Sequence, residues 1–191
     1  MRQMKRIFAV LLLLQAVLAS VGQQAVDVHT HIITPEYMQM LQRHGAGLEE
    51  MFPLPRWDAG RHVAFMDSTG IGCSVLTMPA PQPYYGDGGE SAACIRGVNE
   101  AAAAAKASYP GRFRFCAALP LPDVGAAIRE AVYALDTLHA DGVKLATNSR
   151  GQYLGDEALD TLMQVLNERH AVVIIHPHRP TPYPEGIIRT T

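Results

Sequence analysis

The strongest constraint on this chain is an alternation. Beyond residue 24, short apolar runs recur five times, "AVDVHTHI" (25 to 32), "CSVLTM" (73 to 78), "RFRFCAAL" (112 to 119), "GVKLAT" (142 to 147) and "AVVIIH" (171 to 176), separated by longer stretches of helical character. Runs of this length, rich in Val, Ile and Phe, read as strands. The intervening helices are expected near 35 to 44, 58 to 69, 90 to 108, 123 to 140 and 156 to 169. Thr34 precedes Pro35 at a helix start, and Asp58, Asp123 and Asp156 stand where side-chain caps belong. The alanine run 101 to 105 carries high helix propensity. Strands that alternate with helices of ten or more residues predict βαβ units and an α/β parallel sheet. Two closures satisfy that pattern, an open doubly wound sheet or a (β/α)₈ barrel. The dinucleotide-binding version of the open sheet would place a glycine-rich loop after the first strand, and none follows it. "GDGGE" (86 to 90) comes after the second strand without the required spacing and reads as a flexible loop.

With 191 residues, 48% of them hydrophobic, the chain can bury one globular core. A formal net charge of -2 with no basic block gives no electrostatic attraction to nucleic acid or an anionic membrane, so a small molecule is the expected partner. Arg2, Lys5 and Arg6 precede the apolar run "IFAVLLLLQAVLA", and Ser20 and Gly22 are small residues suited to a signal peptidase. Residues 1–22 therefore read as a signal peptide and 23–191 as the mature domain, exported to a periplasm or secreted. The run is short for a bilayer-spanning helix, so no membrane association is expected after cleavage. Cys73, Cys94 and Cys116 are odd in number and scattered, which suits buried free thiols better than a disulfide framework or a zinc site.

Two histidines one residue apart, in "VDVHTHI", are unusual in a parallel strand, which is normally apolar on both faces. Strict alternation would put Asp27, His29 and His31 on one face and Val26 and Val28 on the other. Imidazoles at the C-terminal end of such a strand need a partner that offsets desolvation, and a divalent metal is one. His176 ends the fifth apolar run in the same way. Each histidine alone reads as an ordinary core or loop residue; the three together read as metal ligands.

In order along the chain, "VDVHTHI", "WDAGRHVAFMDSTGI", "LPLPD", "DGVKLATN", "YLGDEALDTL" and "VVIIHP" resemble the amidohydrolase superfamily, in the branch of aminocarboxymuconate-semialdehyde and 6-methylsalicylate decarboxylases. The resemblance runs from residue 25 to about residue 184. It implies a (β/α)₈ TIM-type barrel of which about the first five βα units are present. It also implies a divalent metal, usually zinc, held by His29 and His31 on strand one and His176 on strand five. The strand-six acid/base histidine and strand-eight aspartate of that family would lie past residue 191, so the chain reads as C-terminally truncated, its catalytic groups outside it. Alone it is expected to expose parallel edges, to pair with a second copy or aggregate, and to catalyse about 10²–10⁴-fold or more below a full-length relative.

Other residues carry two readings each. Lys144 is placed where some dinuclear amidohydrolases carry a carbamylated lysine bridging two metals, the alternative being a lysine paired with a carboxylate. Arg56 suits a substrate carboxylate or a solvated loop. His178, after Pro177, reads as a rim residue facing substrate, whereas His44, His62, His139 and His170 read as surface residues. The implied reaction is non-oxidative decarboxylation of an aromatic or unsaturated carboxylic acid. Hydrolysis of an amide, ester or lactone is the second reading, and an inactive metal-binding remnant the third.

Overall fold

A computed structural model of the chain describes residues 25–46, 48–49 and 52–179. The signal-peptide reading and the expected mature N-terminus fall outside them. In chain order the elements are β1 (Ala25–His31), α1 (Pro35–Arg43), β2 (Leu48–Glu49), β3 (Phe52–Pro53), α2 (Ala59–Thr69), β4 (Ile71–Thr77), α3 (Gly88–Ser108), β5 (Phe113–Ala118), α4 (Val124–Asp136), β6 (Gly142–Ala146), β7 (Asn148–Ser149), β8 (Gln152–Tyr153), a 3₁₀ turn (Glu157–Leu159), α5 (Asp160–Glu168) and β9 (Val173–His176). All five expected strands and all five expected helices are present. The two short hairpins, β2–β3 and β7–β8, were not anticipated, because two-residue strands carry no periodicity to read.

The helices start where short polar side chains accept their free N–H groups. Thr34 Oγ1 accepts from Tyr37 N, Asp58 from Arg61 N, Asp123 from Ala126 N and Asp156 from Ala158 N. "GDGGE" is not the flexible loop expected. Asp87 Oδ1 accepts from Gly89 N and Glu90 N at 2.8 and 3.0 Å, making the segment the first turn of α3. Gly86 reaches it at φ 105°, which glycine adopts without strain. The expected helix 123 to 140 stops at Asp136, where Ala140 N bonds back to Ala134 O and His139 turns the chain at φ 53°.

The main sheet has the order β1-β4-β5-β6-β9, and every ladder is parallel. Strands in sequence order with same-handed crossovers place the helices on one face, which is barrel topology; a doubly wound sheet would reverse direction at a switch point. The core lies between the sheet's outer face and the helices: Leu76, Phe113, Phe115, Val143 and Leu145 pack with Met66, Ile95, Val98, Leu162 and Leu166. Ala127, Ala131 and Ala134, all fully buried, let α4 lie close to that layer. A buried polar network ties the layer together. Asn99 exchanges hydrogen bonds with both backbone groups of Ala118 and donates to Glu130, which also accepts from Arg96. Among the described strands, β1 and β9 form the two edges, and Val26, Val28, Val173 and Ile175 are exposed there.

The expected alternation in β1 needs correction. Asp27 pairs with Ser74 but Thr30 pairs with Leu76, so β1 carries one residue more than β4 between these points, a β-bulge. By register Asp27 goes with Ser74 and Leu76 on the helix-covered side, while His31 goes with Thr77 on the concave side. Asp27 therefore parts from the histidines, and its charge acts on His62 of α2 instead.

Close backbone approach at the start of β6 gives a direct test. A Cβ on Gly142 would stand 2.4 Å from the carbonyl oxygen of Val172, so a side chain there must push two parallel segments apart. Gly142→Ala should cost about 1–3 kcal/mol, the usual range for overpacking, read as a lower midpoint in denaturant unfolding with an unchanged slope.

Candidate metal centre

Four strand spacings separate β1 from β9, about 19 Å in a flat sheet. Yet His29 Nε2 and His176 Nε2 are 3.0 Å apart. The sheet must therefore curl, with both side chains on its concave face at the C-terminal ends of their strands. His31 completes the group. The ring centroids are 5.2 Å apart for His29 and His31, 4.9 Å for His29 and His176, and 5.8 Å for His31 and His176, and one ligand nitrogen from each ring lies within 4.8 Å of the others. The sequence thus identified the three residues that the fold brings together.

The hydrogen-bond partners fix which nitrogens face the cluster. Thr77 Oγ1 donates its single proton to Thr30 O at 3.0 Å, so its contact with His31 Nδ1, also 3.0 Å, requires the imidazole to donate. His176 Nδ1 donates to Pro177 O, which can only accept, at 2.7 Å. Both rings are held as Nδ1–H tautomers with a bare lone pair on Nε2, the form that ligates a metal through Nε2 while a second residue orients the ring. Two nitrogens bound to one tetrahedral ion at about 2.0–2.1 Å would stand about 3.3 Å apart, close to the separation of the His29 and His176 nitrogens. Donor chemistry, tautomer and spacing all fit a divalent cation. Thr77 was not singled out from the sequence, because nothing in "CSVLTM" marks a second-layer hydroxyl.

Lys144 stands near this cluster on the concave side, in register with Ile174 of β9. Its Nζ donates to Met78 O at 3.1 Å; burial lowers the pKa of His31, His176 and His178, and the Lys144 charge lowers it further. No described carboxylate joins the three histidines as a further ligand. His178 follows β9: its backbone N–H donates to Thr147 Oγ1 at 2.9 Å, and the residue lines a cavity with Gln82, Tyr84, Tyr85, Ser149 and Arg150. Those loop residues escaped the sequence reading because no motif links positions so far apart. Arg56 is exposed, and its neighbour Trp57 packs on Phe113, the first residue of β5, at the end of that strand away from the histidines.

The four remaining histidines divide. His44 accompanies Arg43 in pairing with Glu90 and stacks on Tyr85, and His139 and His170 are exposed turn residues. His62 is not the surface residue expected. It is half-buried against Trp57 and Phe113, with Trp57 Nε1 donating to its Nδ1, and burial lowers its pKa. Cys116 is buried and Cys73 and Cys94 are half-buried, all three as free thiols; burial pushes Cys94 and Cys116 up to about 11, which leaves those two unreactive near neutrality.

Burial, reinforced by the Lys144 charge and the neighbouring imidazoles, lowers His31 from 6.5 to about 4. It is therefore neutral and ready to ligate at pH 7. A folded-state pKa below the unfolded one means the unfolded chain takes up the proton first as pH falls from 6.5, so stability is highest above that value and declines towards pH 4. The ring-proton resonance of His31 should stay constant in NMR spectra of the metal-free protein from pH 7.5 to 5.5. A titration midpoint near 6.5 would contradict its burial beside Lys144.

Comparison with known proteins agrees with this geometry. The amidohydrolase family matches residues 26–186. Decarboxylase yanB of Aspergillus niger is 41% identical over 158 residues, covering 80% of this chain and 43% of that protein. The 6-methylsalicylic acid decarboxylase acuB of Aspergillus aculeatus is 33% identical over 159 residues, covering 81% and 48%. The chain spans about half the length of these relatives. Among solved structures, an amidohydrolase II superposes with TM-score 0.80 at 32% identity, over 85% of this chain and 53% of that one. A 5-carboxyvanillate decarboxylase from Novosphingobium aromaticivorans, solved with bound manganese, superposes with TM-score 0.74 at 23% identity, over 83% and 52%. The five-stranded parallel half-barrel and the family match over most of the described chain have one reading: the protein belongs to the amidohydrolase family.

Proposed function

We propose that the whole protein is a metal-dependent, non-oxidative decarboxylase of an aromatic carboxylic acid, with His29, His31 and His176 as metal ligands. The observation that carries this reading is the convergence of three imidazoles, two of them locked with Nε2 free. It is supported by decarboxylases among the relatives, two of them named 6-methylsalicylic acid decarboxylases. A bound cation supplies Lewis-acid polarisation of the substrate's oxygens. The chain's own contribution is to hold the rings of His31 and His176 neutral and oriented: Thr77 and Pro177 fix the tautomers, and burial together with the Lys144 charge opposes protonation. In the reaction the bond between ring and carboxylate carbon breaks, carbon dioxide leaves, and a proton takes its place on the ring.

Zinc and manganese both suit the donor set, and zinc is the cation we infer, since three neutral imidazoles favour a borderline ion over a hard one. Elemental analysis after purification should return about one divalent ion per chain, and His29→Ala or His176→Ala should remove most of it, because one ligand in three is lost. Undiminished metal in both variants would sink the assignment. Assays of single-ring hydroxy acids should show loss of substrate absorbance with equimolar carbon dioxide. Cleavage of an ester or amide without carbon dioxide would replace this reading with hydrolysis. We also infer export, from the basic start and apolar run of residues 1–22. Mass spectrometry should then find a mature N-terminus at Gln23, and a cell-associated form starting at Met1 would count against it.

A further inference from the structure

His176 stands where the β6–β9 ladder ends, and the ladder ends irregularly. Its last backbone rung is Thr147 N donating to His176 O at 3.0 Å. A regular parallel ladder would continue with His178 N donating to Thr147 O, since each residue bonds to the two positions that flank its partner. That carbonyl is already taken: Leu154 N donates to it at 3.3 Å, where the β7–β8 hairpin closes. The Thr147 side chain fills the place instead. Its Oγ1 accepts from His178 N at 2.9 Å and donates to His178 O at 3.4 Å. Buried Asn148 holds the next stretch, its Nδ2 donating to Arg179 O at 3.0 Å and to His178 O at 3.5 Å.

Thr147 reaches the His176 ring through one rigid unit. The carbonyl of Pro177 and the N–H of His178 belong to the same planar trans peptide and point in opposite directions. Fixing the N–H on Thr147 therefore fixes the carbonyl, and that carbonyl accepts from His176 Nδ1 at 2.7 Å. The proline ring already locks φ at residue 177, so rotation of this peptide is the freedom that remains. The Thr147 hydroxyl removes it. Without that anchor the carbonyl is free to turn away, and Nδ1 loses the acceptor that keeps the proton there and leaves Nε2 bare. The opposite edge of the sheet has a matching part. His31 on β1 is met directly by Thr77, the last residue of the adjacent β4, whereas His176 on β9 is met through one peptide by Thr147, the first residue past the adjacent β6.

We propose that Thr147 is a positioning residue: through the Pro177–His178 peptide, its hydroxyl sets the tautomer and orientation of His176. The role matters to the protein only through the reading of His176 as a metal ligand, on which it rests, but its first test is made without metal.

Long-range nitrogen–proton correlation spectra of the histidine-labelled, metal-free protein at pH 7.5 distinguish the two tautomers ring by ring. In the unaltered protein His176 should carry its proton on Nδ1; a proton on Nε2 would overturn the proposal with no substitution made. Thr147→Val keeps the branched shape and removes the acceptor, so the His176 tautomer ratio should move about fivefold toward Nε2–H, the worth of one neutral hydrogen bond. Thr147→Ser keeps the hydroxyl and should restore the native ratio, while His31, oriented by Thr77, should hold its tautomer in both variants. A ratio unmoved in Thr147→Val, a serine variant no closer to native than the valine one, or an equal change at His31 would overturn the proposal, the last because the effect would then belong to the whole sheet. Zinc, titrated in competition with a chelator, should bind about 10–100-fold more weakly to Thr147→Val than to Thr147→Ser, the usual cost of losing an outer partner of a ligating imidazole. Zinc held through the three histidines with equal affinity in both variants would remove the positioning role and leave the metal assignment standing. A tautomer shift in a protein that binds no zinc would do the reverse.

Discussion

The curvature of the parallel sheet is the constraint on which the rest depends. Strands laid down in sequence order put the helices on one face, and the apolar side of each strand follows: Leu76, Phe115, Val143 and Leu145 are buried beneath α2 to α5. The concave face is then left for residues that serve other ends. Only because that face closes on itself can His29 on one edge strand reach His176 on the other, across three intervening strands. Fold and site are one geometric fact, since flattening the sheet would part the imidazoles of His29 and His176.

Within the site, the protein controls charge through proton positions. Thr77 has one proton and gives it to Thr30 O, a choice that dictates how His31 must present itself. Pro177 O does the same for His176 without a side chain, because a carbonyl can only accept. Lys144 adds a field that opposes protonation of the rings from inside the sheet. A cationic neighbour would be a poor choice beside a metal if repulsion were all it brought. Its Nζ is anchored to Met78 O, which fixes the charge on the concave side of the sheet beside the imidazoles.

Periodicity and caps were legible because they are local. Thr34, Asp58, Asp123 and Asp156 act within three residues of themselves, and the apolar runs needed only their own length to declare strands. The histidine cluster was legible for a different reason: imidazoles are out of place at the end of an apolar strand, and that conflict singled out His29, His31 and His176. What escaped depends on non-local partners. The bulge in β1 exists only relative to β4, so no alternation count within "VDVHTHI" could reveal that Asp27 leaves the face of His31. Asp87 looked like loop because glycines surround it, although an Asp before Gly88 caps α3 as well as any other. His62 was read as exposed because Phe113, which covers it together with the nearby Trp57, comes from a strand some fifty residues on.

The Asn99 network shows how the fold keeps the site's scaffold aligned from outside. Asn99 binds both backbone groups of Ala118, the last residue of β5, and passes a hydrogen bond to Glu130 on α4, whose charge Arg96 meets in turn. A buried carboxylate is expensive unless every contact is made, so the arrangement tolerates little sliding of α3 against α4. Ala118 pairs with Lys144, and the same ladder continues to Ile174 beside His176. The polar contact therefore ties α3 and α4 to β5, the strand that pairs with the one carrying Lys144. Apolar packing alone would permit such helices to shift by a fraction of a turn, whereas directional hydrogen bonds do not, and a 3.0 Å approach between imidazoles on the two edge strands needs the stricter constraint.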